Sequence, residues 1–231
     1  LNEGLRDAGE NGGVERLIGD EVLERSSVVA NRAMNRERRL AGRDGYSRVL
    51  GVDIVELLTD GSRTVRWLDL CCGSGKAPLE AAAILPGLEV TGVDLVDFFA
   101  GPAPASVTFH TASITTWEPA QAFDLITCVH GLHYVGDKLA VLTRAASWLT
   151  PGGLFVANFD ATSVRLPGGV PAGRRLTTAL RQAGFTYDGR TRRIRRTGHA
   201  SVRLPFRYLG ADDHAGPNYT GQPAVHSHYE H

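Results

Sequence analysis

Residues 66–97, RWLDLCCGSGKAPLEAAAILPGLEVTGVDLVD, constrain the fold more than any other stretch of the chain. The apolar run Trp67-Leu68-Asp69-Leu70 breaks into Gly73-Ser74-Gly75, and a helical stretch follows from Lys76. A second apolar run, Val90-Thr91-Gly92-Val93, then ends on Asp94. The order is strand, glycine turn, helix, strand, acid. In such a βαβ unit the turn can approach a nucleotide closely, because glycine has no Cβ to hold the ligand away. Asp94 follows Gly75 by 19 residues, close to the roughly 20-residue spacing at which an acid meets a ribose.

Two common nucleotide turns do not fit. A dinucleotide turn, G-x-G-x-x-G, needs glycine where Pro78 stands. A P-loop needs Ser or Thr after its lysine, where Ala77 follows Lys76, and it also needs an earlier glycine that is missing.

What remains resembles the class I S-adenosylmethionine (SAM)-dependent methyltransferases. LDLCCGSGK followed by VTGVDL is similar to their motif D-x-G-x-G-x-G and its acidic successor, matching at Asp69, Gly73 and Gly75. Cys71 stands where the first glycine is common, so the backbone there has to accept a small side chain. Downstream, Phe123-Asp124-Leu125-Ile126 resembles the family's fourth strand. Leu149-Thr150-Pro151-Gly152-Gly153-Leu154-Phe155 resembles the turn before its fifth. The resemblance implies an α/β fold: a Rossmann-like seven-stranded mixed sheet with an antiparallel last strand, here with an N-terminal helical cover.

Four segments follow from the pattern: a flexible tail at 1–13, a helical cap at 14–60, a SAM-binding core at 61–210, and a tail at 211–231 that folds over the active site. The cap reads as helices Val14–Glu24, Ser26–Leu40, Tyr46–Leu50 and Asp53–Leu58. DFFAGPAPA, residues 97–105, is too short and too rich in Pro and Gly for a crossover helix between its flanking strands. Leu139, Leu142, Ala145, Ala146 and Leu149 form a helical stripe. Val202, Leu204, Phe206 and Tyr208 alternate with Arg203, Pro205 and Arg207, which predicts a strand paired with Arg192–Arg196.

The formal net charge is zero, so no global attraction to nucleic acid or an anionic membrane is expected. The arginines of 190–196 read as charges that protect a sheet edge. Cys71, Cys72 and Cys128 lack metal-ligand spacing and read as buried thiols of a reducing cytoplasm. No apolar run reaches membrane-spanning length.

In a parallel α/β sheet ligands lie beyond the carboxyl ends of the strands, which nominates Asp69–Gly75, Asp94–Asp97, Ala112–Ser113, Val129–Tyr134 and Asn158–Asp160. The resemblance assigns cofactor binding to Asp69, Cys71, Gly73, Ser74, Gly75, Asp94, Leu95, Ser113 and His130. Asp94 would take the ribose, Ser113 the adenine amino group, and Leu95 or Val96 the adenine face. His130, His133 and Tyr134 are the catalytic candidates, since an imidazole can take a proton near neutral pH. Asn31, Asn35 and Arg36, with Asn218 and Tyr219 of the last segment, are candidates for a substrate or carboxylate clamp. The histidines of 212–228 lack the spacing of a metal site, and none is expected.

The leading function is a cytoplasmic SAM-dependent methyltransferase acting on an oxygen or nitrogen of a small metabolite or natural product. Its partners would be that substrate and a second copy of the chain, with neither nucleic acid nor membrane. Two further readings share the fold. One is a SAM-consuming cyclase that forms azetidine-2-carboxylate and methylthioadenosine. The other is a non-catalytic SAM-binding partner protein.

Overall fold

The computed structural model describes residues 16–30, 37–59 and 63–231. Three short helices come first, α1 (Asp20–Leu23), α2 (Tyr46–Leu50) and α3 (Ile54–Leu58). The core runs β1 (Val65–Leu70), α4 (Lys76–Ile84), β2 (Leu88–Asp94), β3 (Val107–Thr111), β4 (Phe123–Cys128), α5 (Lys138–Ser147) and β5 (Leu149–Asn158). It continues with β6 (Val164–Leu166), β7 (Val170–Pro171), α6 (Gly173–Gln182), β8 (Thr186–Asp188), β9 (Arg193–Thr197), β10 (Arg207–Asp212) and β11 (His226–Glu230).

Seven strands form one sheet in the order β3-β2-β1-β4-β5-β9-β8. The first five are parallel, and β9 runs antiparallel to both β5 and β8. The Rossmann-like mixed sheet is therefore present. The strand order reverses between β1 and β4, which opens a crevice beyond their carboxyl ends.

Local chemistry sets the helix bounds. Asp137 caps α5 by accepting the Ala140 N–H at 3.0 Å, and the stripe Leu139, Leu142, Ala145 and Ala146 is buried. Pro78 lies in the first turn of α4, where no backbone donor is needed. Pro86 ends the helix by keeping Leu85 extended. Two apolar layers flank the sheet. On one side α5 and α6 pack with residues of β6 and β11; on the other α2, α3 and α4 pack through Tyr46, Leu50, Ile54, Ala77 and Ala81.

No helix joins β2 to β3, as the composition of 97–105 predicts. The Phe109 ring, stacked on Phe99 with centroids 4.6 Å apart, covers this part of the sheet instead. A Cβ on Gly75 would lie 2.3 Å from that ring, and one on Gly92 would lie 2.6 Å from it. Gly75 is thus required both by its backbone (φ 70°) and by the aromatic ring packed on it.

Several expectations need correction. In the cap, α2 and α3 form where expected, but the first expected helix is reduced to Asp20–Leu23. Ile18 instead pairs with Ala211 as an isolated bridge. Residues 24–30 make turns, and the described part of Ser26–Leu40 contains no helix. The strand expected at 202–208 does not pair with Arg192–Arg196. Arg193–Thr197 is taken by the open edge of β5, and residues 202–206 lie outside any strand.

β9 is also an interior strand, so its arginines do not guard an edge. Arg193 donates to the carbonyls of Val49 (2.8 Å) and Arg48 (2.9 Å). Arg195 donates to those of Leu50 (3.1 Å) and Gly51 (2.7 Å). The two cations thereby satisfy the last carbonyls of α2, where a helix favours positive charge.

A second sheet, β10-β11-β6-β7, has no counterpart in the sequence reading. β11 lies between β10 (antiparallel) and β6 (parallel). Buried Lys138 fastens it to α5, its ammonium donating to Val135 O (2.8 Å), Val225 O (2.9 Å) and Ser227 Oγ (2.7 Å). The three bonds satisfy all three donors of an ammonium held in the interior.

Candidate active site

The crevice at the strand-order reversal holds a cavity of about 400 Å³, within the range of about 300–1,000 Å³ for small-molecule sites. Cys71, Cys72 and Gly73 follow β1 in its wall, Asp94 and Leu95 come from the end of β2, and Val129, His130 and Gly131 follow β4. His133 and Tyr134 continue that wall, Arg38, Asp44 and Tyr46 come from the N-terminal cover, and Thr220 and Gln222 reach in from the loop before β11.

The two motif aspartates do different work. Asp94 is 5% exposed; its Oδ2 accepts the Gly73 N–H at 2.8 Å and its Oδ1 accepts the Val96 N–H at 3.0 Å. The acid thus fixes the glycine turn at the cavity wall. Asp69 is fully buried and does not line it. Its Oδ1 accepts from Thr127 Oγ1 at 2.6 Å and its Oδ2 from the Tyr46 hydroxyl at 2.8 Å. The Trp67 indole in turn donates to Thr127 at 2.8 Å. Burial pushes the Asp69 carboxyl up to about 7, against the opposing pull of the Thr127 and Tyr46 hydrogen bonds. Asp69 therefore ties β1 to β4 and to α2.

Cys71 has φ 55°, the left-handed region where a side chain is uncommon. Its space comes from the opposite wall: a Cβ on Gly131 would lie 2.3 Å from Cys71 Cβ. The glycine displaced from the motif reappears, in effect, across the cavity.

His130 also has a left-handed backbone, φ 60°. Burial, with the charge of Arg38 adding to it, lowers its pKa to about 4. Burial lowers His133 to about 3. Both rings are neutral at pH 7, and their centroids lie 5.7 Å apart. The Nδ1 of His130 and the Nε2 of His133 are buried without a hydrogen-bond partner among the described residues.

Other expected residues fall elsewhere. Ser74 is buried, with its hydroxyl unpartnered among the described residues, and it does not wall the cavity. Ser113 is engaged by the Glu24 carboxylate and by Thr115 Oγ1 (2.7 Å), also outside the wall. Asn31, Asn35 and Arg36 lie outside the described residues. Asn218 and Tyr219 border a second cavity that shares His133 with the first, with the Tyr219 ring edge-on to His133 at 5.3 Å. Tyr46 and Asp44 also line the cavity but carry no motif in the sequence, and Arg38 stands among other arginines with nothing to mark it. Among the described residues no cluster of three His, Cys, Asp or Glu could hold a metal ion, and no helix is long and apolar enough to cross a membrane.

This geometry is that of a SAM-binding α/β protein. A methyltransferase-domain family model matches residues 34–166, more than half of the 231 residues, and the chain belongs to that family. A ubiquinone biosynthesis O-methyltransferase of Idiomarina loihiensis is 32% identical over 108 residues, 43% of this chain and 44% of that protein. A trans-aconitate 2-methyltransferase of Streptomyces avermitilis is 32% identical over 126 residues, 49% of this chain and 46% of that protein. The chain spans about half the length of these curated relatives. The N-methyltransferase NodS of Bradyrhizobium japonicum WM9, solved with S-adenosyl-L-homocysteine (SAH), superposes with a TM-score of 0.48 at 20% identity, covering 76% of this chain and 95% of that one.

The cavity fits the family's cofactor. It offers an acid for a ribose, apolar Leu95 and Val129 for a base, and opposite charges at Arg38 and Asp44 for the carboxylate and ammonium of a methionine moiety.

Proposed function

We propose that the protein is a SAM-dependent methyltransferase acting on an oxygen or nitrogen of a small molecule. The observation that carries this reading is the convergence of Gly73, Asp94 and His130, whose Nδ1 has no hydrogen-bond partner among the described residues, on one cavity. When bound, the cofactor supplies an electrophilic methyl group on a sulfonium that leaves as a neutral thioether. The chain's own contribution is binding, orientation and exclusion of water, which suffices for much of the rate of such a transfer. Asp94 holds the ribose, Arg38 the carboxylate, and Asp44 the ammonium. The N-terminal cover and the loop at 218–222 close the site.

His130, His133 and Tyr134 line the reacting end. Imidazoles with pKa values near 4 and 3 are weak bases at neutral pH. They act as neutral hydrogen-bond partners that hold an acceptor in line, and the acceptor's proton is lost to bulk solvent when the site opens. The names of the two curated relatives, one for an O-methyltransferase of ubiquinone biosynthesis and one for a trans-aconitate methyltransferase, favour a small acceptor and an oxygen atom.

A second reading rests on size. A cavity of about 400 Å³ is near the small end for ligand sites and suits the cofactor alone. That favours a cyclase, in which the amine of SAM attacks its own γ-carbon and methylthioadenosine leaves. One experiment separates the two. The protein is incubated with SAM alone and with SAM plus a panel of small hydroxyl and amine acceptors, and products are read by mass spectrometry. SAH formed only with an acceptor supports methyl transfer. Methylthioadenosine and a cyclic amino acid from SAM alone would sink it.

A further inference from the structure

The second cavity is about 370 Å³ and shares His133 with the first. Arg165, Arg192 and Asn218 dominate its chemistry. Arg165 spends Nη1 on Gly169 O (3.2 Å) and Nη2 on His226 Nε2 (3.2 Å). Its Nε is buried with no hydrogen-bond partner among the described residues. The Asn218 amide is oriented by Thr220, whose backbone N–H and hydroxyl donate to Asn218 Oδ1 at 2.7 and 2.5 Å. That leaves the Asn218 Nδ2 buried, also without a hydrogen-bond partner. Arg192 sits with its guanidinium carbon 4.0 Å from the centre of the Tyr219 ring, which fixes its plane at the cavity wall.

Arg165 Nε and Asn218 Nδ2 are thus donors without acceptors among the described residues. The one carboxylate present, Asp160, spends Oδ1 on the Thr162 N–H (3.1 Å) and hydroxyl (2.7 Å), and Arg192 Nε is 3.8 Å from it. Burial and the adjacent Arg165 lower His226 to about 4, so it is neutral and accepts from Arg165. Two guanidinium groups therefore face one carboxylate across a concave wall. Unpaired buried donors are costly unless a ligand supplies the oxygens, and planar guanidinium groups match carboxylate or phosphate.

We propose that this cavity receives the anionic end, a carboxylate or phosphate, of the methyl acceptor, with His133 at the passage to the cofactor cavity. The assignment rests on the methyltransferase reading above and names the acceptor class within it.

The test uses the full chain loaded with SAH. Succinate, inorganic phosphate and uncharged succinamide are titrated by ligand-observed NMR. The expected result is millimolar binding of succinate or phosphate, no binding of succinamide, and at least tenfold weaker anion binding in Arg165→Met and in Arg192→Gln. SAH affinity should change less than threefold in both variants. Whichever anion binds decides between carboxylate and phosphate. If Arg165→Met does not fold, Arg192→Gln decides alone. SAH binding with neither anion bound, or with anion binding unmoved by the substitutions, overturns the proposal and leaves the methyltransferase reading intact. A wild-type chain that does not bind SAH overturns that reading and the proposal together.

Discussion

The two cavities meet at His133 but are assembled in opposite ways. The first takes much of its wall from the ends of β1, β2 and β4, neighbours in one parallel sheet. Their carboxyl ends converge because the strands are parallel, so short local motifs suffice to build it. The second draws on residues near 133, 160–165, 192 and 215–226, brought together where β4, β5 and β9 of the first sheet meet β6 and β11 of the second. A site built from strand ends is local in sequence, whereas one built between sheets is not.

The independence of the two cavities is tested most directly at Asp94. Asp94→Ala should weaken SAH binding by about 100-fold by calorimetry, because it removes a charge-assisted acceptor and releases the Gly73 turn. Binding of a small anion in the second cavity should persist; joint loss would show that the cavities are one unit. Next in size is Gly131→Ala, which drives a Cβ into Cys71 and should lower stability by about 2–3 kcal/mol in urea unfolding. Adding Cys71→Gly should recover most of that loss, and if it does not, the two walls do not compensate one another.

Tyr46→Phe takes one donor from Asp69 and should cost about 1–2 kcal/mol. The Asp69 carboxyl should then titrate above its already raised value of about 7. An Asp69 pKa unchanged by carbonyl-labelled NMR would contradict this.

The smallest effect is in pH. His130 and His133 have folded pKa values of about 4 and 3, below the ordinary value of about 6.5. The unfolded chain therefore binds more protons at these positions between about pH 6.5 and 3, and stability falls as pH drops through that window. Asp69 acts oppositely: its folded pKa is raised, so between about pH 7 and 4 acidification favours the folded state through this group. Three histidines, His226 near 4 acting in the same direction, against one aspartate give a net loss. Tm should fall between pH 6.5 and 4.5, and His133→Gln should reduce that slope. A steeper slope in the variant would refute the assignment.

The legibility of the chain follows the same division. The β1–α4–β2 unit, the missing helix after β2, the stripe of α5 and the acid at 94 are local patterns, and they were readable. The role of Asp69 was not, because its partners Tyr46 and Thr127 lie 23 and 58 residues away. The arginines at 193 and 195 looked like edge charges because the alternation at 202–208 suggested the wrong pairing. The contest for the edge of β5 is tertiary, and a two-residue period does not reveal which segment wins it. Cys71 was visible as a departure, but its partner Gly131 had no signal of its own.

β11 has a consequence for the order in which the molecule can be completed. Its neighbours are β10 and β6, and Ser227 pairs with Val164 across 63 positions of chain. The two are joined into one sheet only once residues 226–230 lie between them. Loop closure of this span is a slow, non-local event, whereas β1, α4 and β2 can form from adjacent chain. Refolding followed by pulse-labelled hydrogen exchange should protect Val93 early and Ser227 late. The chain would then acquire the crevice beyond β1, β2 and β4 before it acquires the wall of the second cavity.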